Sequence, residues 1–68
     1  MYVGHFTDPM WKNYALYRQG KYEAAAENYA QLSTAAASFG QGMAQIKSRK
    51  YRDAVRAFEL TLKRDPDY

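Results

Sequence analysis

The sequence contains no cysteine and only one histidine, His5, among its 68 residues. The absence of cysteine excludes disulfide bonds and thiolate zinc sites, and a single imidazole cannot hold a metal ion by itself. No segment approaches the roughly 20 consecutive apolar residues that a membrane span needs. A domain of this size without disulfides or metal draws only about 3–5 kcal/mol from its own core. We therefore expect it to be a piece of a longer protein that depends on neighbouring parts or on a second copy.

Glycine and proline are also scarce, with four and two residues, and they separate alanine-rich stretches that favour helix. Hydrophobic residues make up 47% of the chain while the mean hydropathy is -0.71, because alanine and tyrosine supply much of the apolar count. Such a composition predicts thin helices that pack closely. The formal charge of +3 is a mild excess, which selects no partner on its own.

Start and stop signals divide the chain into four helices. Asp8 is placed to cap a first helix that begins at Pro9, where the missing N–H group loses no intrahelical bond. Gly20 suits a left-handed stop of that helix, and Thr34 suits the N-cap of the third helix. A proline follows Asp65 directly and disfavours helix there. The predicted helices begin near Pro9, Tyr22, Ala35 and Tyr51 and end near Gln19, Leu32, Ser48 and Arg64.

Two glycines, Gly40 and Gly42, fall inside the predicted third helix. A glycine within a helix lowers its stability by roughly 1 kcal/mol relative to alanine. A close approach of another backbone is the expected compensation, and we expect it at Gly42.

The chain is internally repetitive. A shift of 29 positions superposes residues of similar size or charge in two halves, each made of a helix, a short turn and a second helix. The matched pairs are Ala15 with Ala44, Arg18 with Lys47, Lys21 with Lys50, Tyr22 with Tyr51, Ala25 with Ala54 and Tyr29 with Phe58. The sequence therefore predicts two tandem helical hairpins.

Each half has a small residue in its first helix, then an aromatic, an alanine and a further aromatic in its second helix. Residues 15–25 carry this pattern in the first half, and Gly42, residues 51–54, Phe58 and Pro66 carry it in the second. Both halves resemble the tetratricopeptide repeat (TPR). The resemblance implies an all-α fold of two tandem TPR-like helix-turn-helix hairpins that form a fragment of a right-handed α-solenoid.

The same resemblance implies the domain organisation. The first hairpin covers 8–34 and the second 35–66, between a mobile leader at 1–7 and a frayed end at 67–68. The chain departs from the TPR pattern in three places. Asn13 replaces a small residue, Arg49 replaces the turn glycine, and the spacing of 29 residues is shorter than the usual spacing of about 34.

A narrower resemblance concerns residues 6–11, 15–22, 32–35 and Gly42. Together they look like the TPR segment that follows the von Willebrand factor A domain in bacterial aerotolerance-type (Bat) membrane proteins. This resemblance implies a parent with transmembrane helices and a metal-ion-dependent adhesion site outside these residues. The parent would be anchored in the inner membrane, with this segment as its periplasmic or cytoplasmic interaction arm.

In the repeat family, the first helices of the hairpins line a concave groove that receives a partner peptide. Aromatic and methionine side chains in such a groove suit apolar or extended segments. Tyr14 and Met43 stand where chaperone-binding members carry asparagine, so we do not expect binding of chaperone tails. The partner-binding groove that the resemblance implies contains Met10, Tyr14, Tyr17, Arg18, Phe39, Met43, Ile46 and Lys47.

The fourth helix carries an apolar stripe that no later repeat covers in this sequence. Its residues are Val55, Phe58 and Leu62, and we call them the end face. A solenoid usually needs three or more repeats and a polar capping helix. We expect the end face to be covered by self-association, by exchange of a hairpin or by docking on other parts of the parent.

No residue pattern indicates catalysis. Glu23 and Glu27 are spaced to form an acid–base pair, but a solvated helix face explains them better. His5 has no nucleophile or carboxylate partner in a recognisable array. The sequence predicts a protein with no enzymatic activity and no cofactor, which binds a protein or peptide as an adaptor or scaffold.

The alternative function is binding of nucleic acid or an acidic partner through a basic cluster at 47–56. Basic side chains interleaved with an aromatic, here Tyr51, could contact phosphates and stack on a base. A solvated turn and helix face explain the same residues more simply. The basic residues are Lys47, Arg49, Lys50, Arg52 and Arg56, with Lys63 and Arg64 beyond them.

Overall fold

The computed structural model describes residues 9–68, and these form four helices. They are α1 (Pro9–Arg18), α2 (Tyr22–Ala30), α3 (Ala35–Lys47) and α4 (Tyr51–Arg64). The described range contains no strand, which confirms the all-α prediction there. The predicted leader at 1–7, the capping role of Asp8 and the position of His5 lie outside the described residues.

The turns that end α1 and α3 have the same backbone geometry. In each, the N–H groups of the two residues that follow the C-cap donate back to carbonyls three and five residues earlier, which is a Schellman motif. Gly20 and Arg49 hold its left-handed position, with φ of 81° and 64°. The hydrogen bonds run from Gly20 to Tyr17 and from Lys21 to Leu16 at 3.0 Å, from Arg49 to Ile46 at 3.0 Å and from Lys50 to Gln45 at 2.8 Å. The repeat in the sequence is thus a repeat of backbone shape, even where arginine replaces the turn glycine.

The link between α2 and α3 is set by Thr34. Its backbone is extended, and its side-chain oxygen accepts a hydrogen bond of 3.1 Å from the N–H of Ala37, which confirms the predicted N-cap. An N-cap residue has a non-helical backbone, so the chain leaves the helical conformation between α2 and Thr34. Helix α2 ends at Ala30, two residues before the predicted Leu32, and Gln31 is its C-cap.

Small side chains build the core. In the described residues the buried positions are mostly alanines, and Ser38 is the largest side chain that is fully buried. Helix α3 lies in the middle and packs against both α2 and α4, while α1 packs mainly against α2. Short side chains allow helix backbones to approach closely. The buried alanines are Ala25, Ala26, Ala37, Ala44, Ala54 and Ala57.

Aromatic rings from both neighbours of α3 lie over its glycines. A Cβ atom built on Gly42 would lie 2.5 Å from Cε1 of Phe58 on α4. A Cβ atom on Gly40 would lie 2.7 Å from Cζ of Tyr29 on α2. The close approach predicted at Gly42 therefore exists, but the ring of Phe58 makes it rather than another backbone. The ring of Tyr29 approaches Gly40 in the same way.

Side-chain hydrogen bonds of Thr61 and Arg64 join α4 to the rest of the fold. The hydroxyl groups of Ser38 and Thr61 share a hydrogen bond within the buried α3–α4 interface. At the end of α4, the guanidinium of Arg64 donates to the carbonyl oxygens of Leu32 and Thr34 at 3.3 and 2.9 Å. The last turn of α4 is thereby tied to the link between α2 and α3.

Two residues depart from the expected packing. Asn13, which replaces the small residue of the TPR pattern, is nevertheless buried. Tyr51, the aromatic residue that opens the second helix of the second half, is 60% exposed. Its counterpart Tyr22 packs edge-on against the ring of Tyr17 at 5.3 Å. The position equivalent to Tyr17 holds Ile46, so that ring contact has no counterpart in the second hairpin.

Candidate functional site

A concave groove of about 290 Å³ lies between α1 and α3. Its walls come from the first helices of the two hairpins, and α2 and the last residue of the chain complete it. We call this feature the groove. Its lining residues are Met10, Tyr14, Tyr17, Tyr29, Ala36, Phe39, Gly40, Met43 and Tyr68.

A row of aromatic rings runs along the α1 side. Trp11 and Tyr14 have ring centroids 6.0 Å apart, and the rings of Tyr14 and Tyr17 are nearly parallel with centroids 6.4 Å apart. The guanidinium of Arg18 lies 5.9 Å from the centre of the Tyr14 ring and donates to its hydroxyl at 3.3 Å. This hydrogen bond raises the pKa of Arg18 above its ordinary value. Arg18 therefore orients one wall of the groove from outside it.

The opposite wall is formed by Phe39 and Met43 of α3. The chain turns back after α4, where the N–H of Asp67 donates to the side chain of Asp65 at 3.1 Å. This turn carries Tyr68 to a ring–ring distance of 5.4 Å from Phe39. The end at 67–68, which the sequence leads us to expect as frayed, thus contributes a ring to the groove in this structure.

Tyr29 connects the groove to the core. Its side chain is only 4% exposed, and its ring lies over Gly40. Burial raises the pKa of the Tyr29 hydroxyl, and the nearby Tyr14 and Tyr17 contribute to the same shift. Tyr29 therefore belongs both to the buried core and to the groove lining.

The structure brings together five of the eight residues predicted for the groove. Met10, Tyr14, Tyr17, Phe39 and Met43 line it, whereas Arg18, Ile46 and Lys47 do not. The latter three are exposed near the C-terminal ends of α1 and α3. Sequence reasoning missed four residues of the lining: Tyr29, Ala36, Gly40 and Tyr68. The spacing of large apolar residues could not find Ala36 and Gly40, because their small size is what opens the space.

The end face is open at both ends and packed in its middle. Val55 and Leu62 are 56% and 54% exposed. Phe58, between them, is half-buried. Its ring packs on Gly42 and lies 5.7 Å, centroid to centroid, from the ring of Phe39.

The predicted basic cluster is mixed in charge. Lys50 lies 3.4 Å from the carboxylate of Glu23 on α2. A shallow depression at the start of α4 is lined by Arg49, Lys50, Tyr51 and Arg52 together with the carboxylate of Asp53. Arg64 is engaged with backbone carbonyls. Positive charge in this region is therefore partly balanced by carboxylates.

Two further observations concern cofactors and membranes. Residues 9–68 contain no group of three or more histidine or acidic side chains that could hold a metal ion. In the same range, none of the helices has the length and apolar character to cross a membrane.

Comparison of the chain with protein-family models, with curated proteins and with solved structures gives no match.

Proposed function

We propose that this chain is a protein–protein interaction module that binds an extended apolar peptide segment in the groove and has no chemistry of its own. The observation that carries the proposal is the shape and composition of the groove. Aromatic rings, thioethers and glycine surround a concave space between two helices, and such clefts with a few polar groups are the usual form of a binding site. The exposed end face is the second surface that we assign to partner binding.

The repeat supports the proposal. The two hairpins end their first helices in the same Schellman turn, at Gly20 and at Arg49. We accordingly propose that they are TPR-like repeats in a right-handed solenoid arrangement, with the groove on the concave side. On this interpretation the parent is a larger, membrane-associated protein of the Bat type, and this segment is its adaptor arm.

The lining of the groove suggests which peptides suit it. Tyrosine offers a large apolar face with few rotatable bonds, so little side-chain entropy is lost when a partner docks on it. Four tyrosines line the groove, Tyr14, Tyr17, Tyr29 and Tyr68, and a tyrosine hydroxyl can donate or accept a hydrogen bond. A segment with apolar side chains and free backbone groups satisfies both kinds of contact, as proline-rich and other extended peptides do in aromatic grooves.

Nucleic-acid binding through the basic cluster has less support. The pairing of Lys50 with Glu23 and the presence of Asp53 reduce the positive charge available to phosphates. Phosphate binding weakens steeply as salt rises, whereas apolar groove binding changes little. Salt dependence therefore separates the two functions.

The test uses a displayed library of random peptides selected on the immobilised chain. The enriched peptide is then measured by fluorescence anisotropy at low and high salt. We expect Tyr14→Ala to weaken its binding by about tenfold, because an aromatic anchor is typically worth more than 1 kcal/mol. The matched control is Tyr51→Ala, which removes an exposed tyrosine outside the groove and leaves the affinity unchanged.

A fluorescent single-stranded oligonucleotide is the second probe in the same experiment. Failure to enrich any peptide, together with oligonucleotide binding that salt and Tyr51→Ala abolish, would overturn the groove assignment in favour of the basic cluster.

A further inference from the structure

Helix α4 has one neighbour only among the helices of residues 9–68. It packs on α3, and its backbone does not come close to α1 or α2. Its buried residues, Ala54, Ala57 and Thr61, all belong to that single interface. Large apolar side chains beside this interface are left open, with Tyr51, Val55 and Leu62 each more than half exposed.

The open residues have the spacing of a coiled-coil seam. Tyr51, Val55, Phe58 and Leu62 follow one another at intervals of four, three and four residues. This is the alternation of the two inward positions of a heptad repeat, and it keeps all four side chains on one stripe of the helix. We call these four residues the α4 seam. The seam includes the end face and adds Tyr51 to it.

The two flanks of the seam differ in chemistry. Ala54 and Thr61 occupy equivalent positions on one flank, and both are buried against α3 of the same chain. The other flank carries Arg52 and Glu59, each directly after a seam residue and both exposed. The charged flank is therefore the side that is free to meet a partner, and it carries one charge of each sign.

These charges select one orientation for a pair of α4 helices. When two copies pack antiparallel about a two-fold axis, the charged flanks face each other, and Arg52 of each copy comes near Glu59 of the other. A parallel pair would instead set each charged flank against Ala54 and Thr61, which have no charge to offer. Both orientations can form about a two-fold axis, but only the antiparallel pair brings opposite charges together.

We infer that the α4 seam is the docking surface for a second copy of this chain, which binds antiparallel with two Arg52–Glu59 pairs across a two-fold axis. The inference rests on the proposed function in one respect, because it takes the end face as a binding surface, and it names the occupant of that face. The groove lies between α1 and α3, and none of the four seam residues lines it.

The size of the contact sets its strength. A helix of 14 residues is about 21 Å long. A single helix pair of that length falls below the roughly 1,200 Å² of standard interfaces. The pair is therefore weak and concentration-dependent, and monomer and dimer exchange.

The test is sedimentation equilibrium of the full chain over a wide concentration range, without peptide. We expect a monomer–dimer equilibrium whose dissociation constant rises about fivefold or more in Arg52→Glu and in Glu59→Arg, since each variant replaces two attractive pairs with two repulsive ones. The double variant Arg52→Glu/Glu59→Arg restores the pairs with reversed polarity and returns the constant to the wild-type value. Arg56→Glu, which makes the same charge change on the same helix away from the seam, is the matched control and leaves it unchanged.

Circular dichroism of each variant confirms that the helices are intact, and the substituted side chains are exposed. Val55→Glu, which places a charge within the seam, abolishes association. A wild-type chain that stays monomeric at all concentrations would overturn the inference, and so would single and double charge variants that associate equally. Peptide binding is measured separately, with Tyr14→Ala as its test. A wild-type chain that binds the peptide but never dimerises would therefore refute this inference and leave the proposed function standing.

Discussion

Ser38 on α3 and Thr61 on α4 join their hydroxyl groups in a hydrogen bond of 2.8 Å inside the helix interface. Both residues are buried, with 0% and 3% exposure. Each hydroxyl also contacts a backbone carbonyl of its own helix, that of Ala35 for Ser38 and that of Ala57 for Thr61. The most extensive helix–helix interface among residues 9–68 thus contains a polar pair among alanines.

Removal of both members of this pair should lower stability by less than the sum of the two single removals. Ser38→Ala or Thr61→Val leaves the other hydroxyl without its partner across the interface, and we expect each to lower the free energy of unfolding by about 1–2 kcal/mol. The double variant should lose clearly less than the sum. Urea unfolding of the four proteins measures this coupling, and strictly additive losses would show that the two hydroxyls do not interact energetically.

The glycines of α3 should not tolerate alanine. Gly40→Ala and Gly42→Ala each place a methyl group within 3 Å of an aromatic ring, from Tyr29 and from Phe58. The resulting overpacking, typically about 1–3 kcal/mol, exceeds the gain of roughly 1 kcal/mol in helix propensity. We expect both variants to unfold at lower urea concentration than the wild type. In a Phe58→Ala background the ring is gone, and Gly42→Ala should then raise stability.

The two Schellman turns make a matched pair of opposite predictions. Arginine at φ of 64° pays a steric penalty that glycine does not, so Arg49→Gly should raise the free energy of unfolding by up to about 1 kcal/mol. Gly20→Ala at φ of 81° should lower it by about the same amount. Thermal unfolding reads out both, and the interpretation fails if the two variants shift the midpoint in the same direction.

Alkaline pH should destabilise the fold through Tyr29. Its pKa is raised in the folded state by burial, so the unfolded chain releases this proton first. The stability contributed by the neutral hydroxyl is complete below the ordinary tyrosine pKa of about 10 and declines as pH rises beyond it. We expect Tyr29→Phe, which keeps the ring over Gly40, to lose less stability than the wild type between about pH 9 and about pH 11. Equal losses in the two proteins would remove Tyr29 as the cause.

Helix positions followed from the sequence because their signals are local. Thr34 caps α3 as predicted, and α4 ends at Arg64, ahead of the proline. The internal shift of 29 residues predicted two helical hairpins, and the four helices α1 to α4 confirm that architecture. Those signals depend on a few neighbouring residues and their backbone preferences, so one amino-acid sequence is enough to interpret them.

The groove was less predictable because it depends on contacts between distant residues. Phe39 and Ile46 of α3, both predicted for the groove, are 41% and 38% exposed, but only Phe39 lines the groove. The helix is buried through Ala37 and Ser38 instead. Tyr68 joins the groove only because the chain turns back after α4. No local signal distinguishes an apolar side chain that fills a core from one that lines a cleft.

The alanine core determines how the fold responds to temperature. Each buried alanine removes only a methyl group from water, so unfolding exposes little apolar surface for each helix that melts. The heat-capacity change of unfolding follows exposed apolar area and is therefore small for a chain of this length. A small heat-capacity change flattens the dependence of stability on temperature. This packing of short side chains gives the module a broad and shallow stability curve.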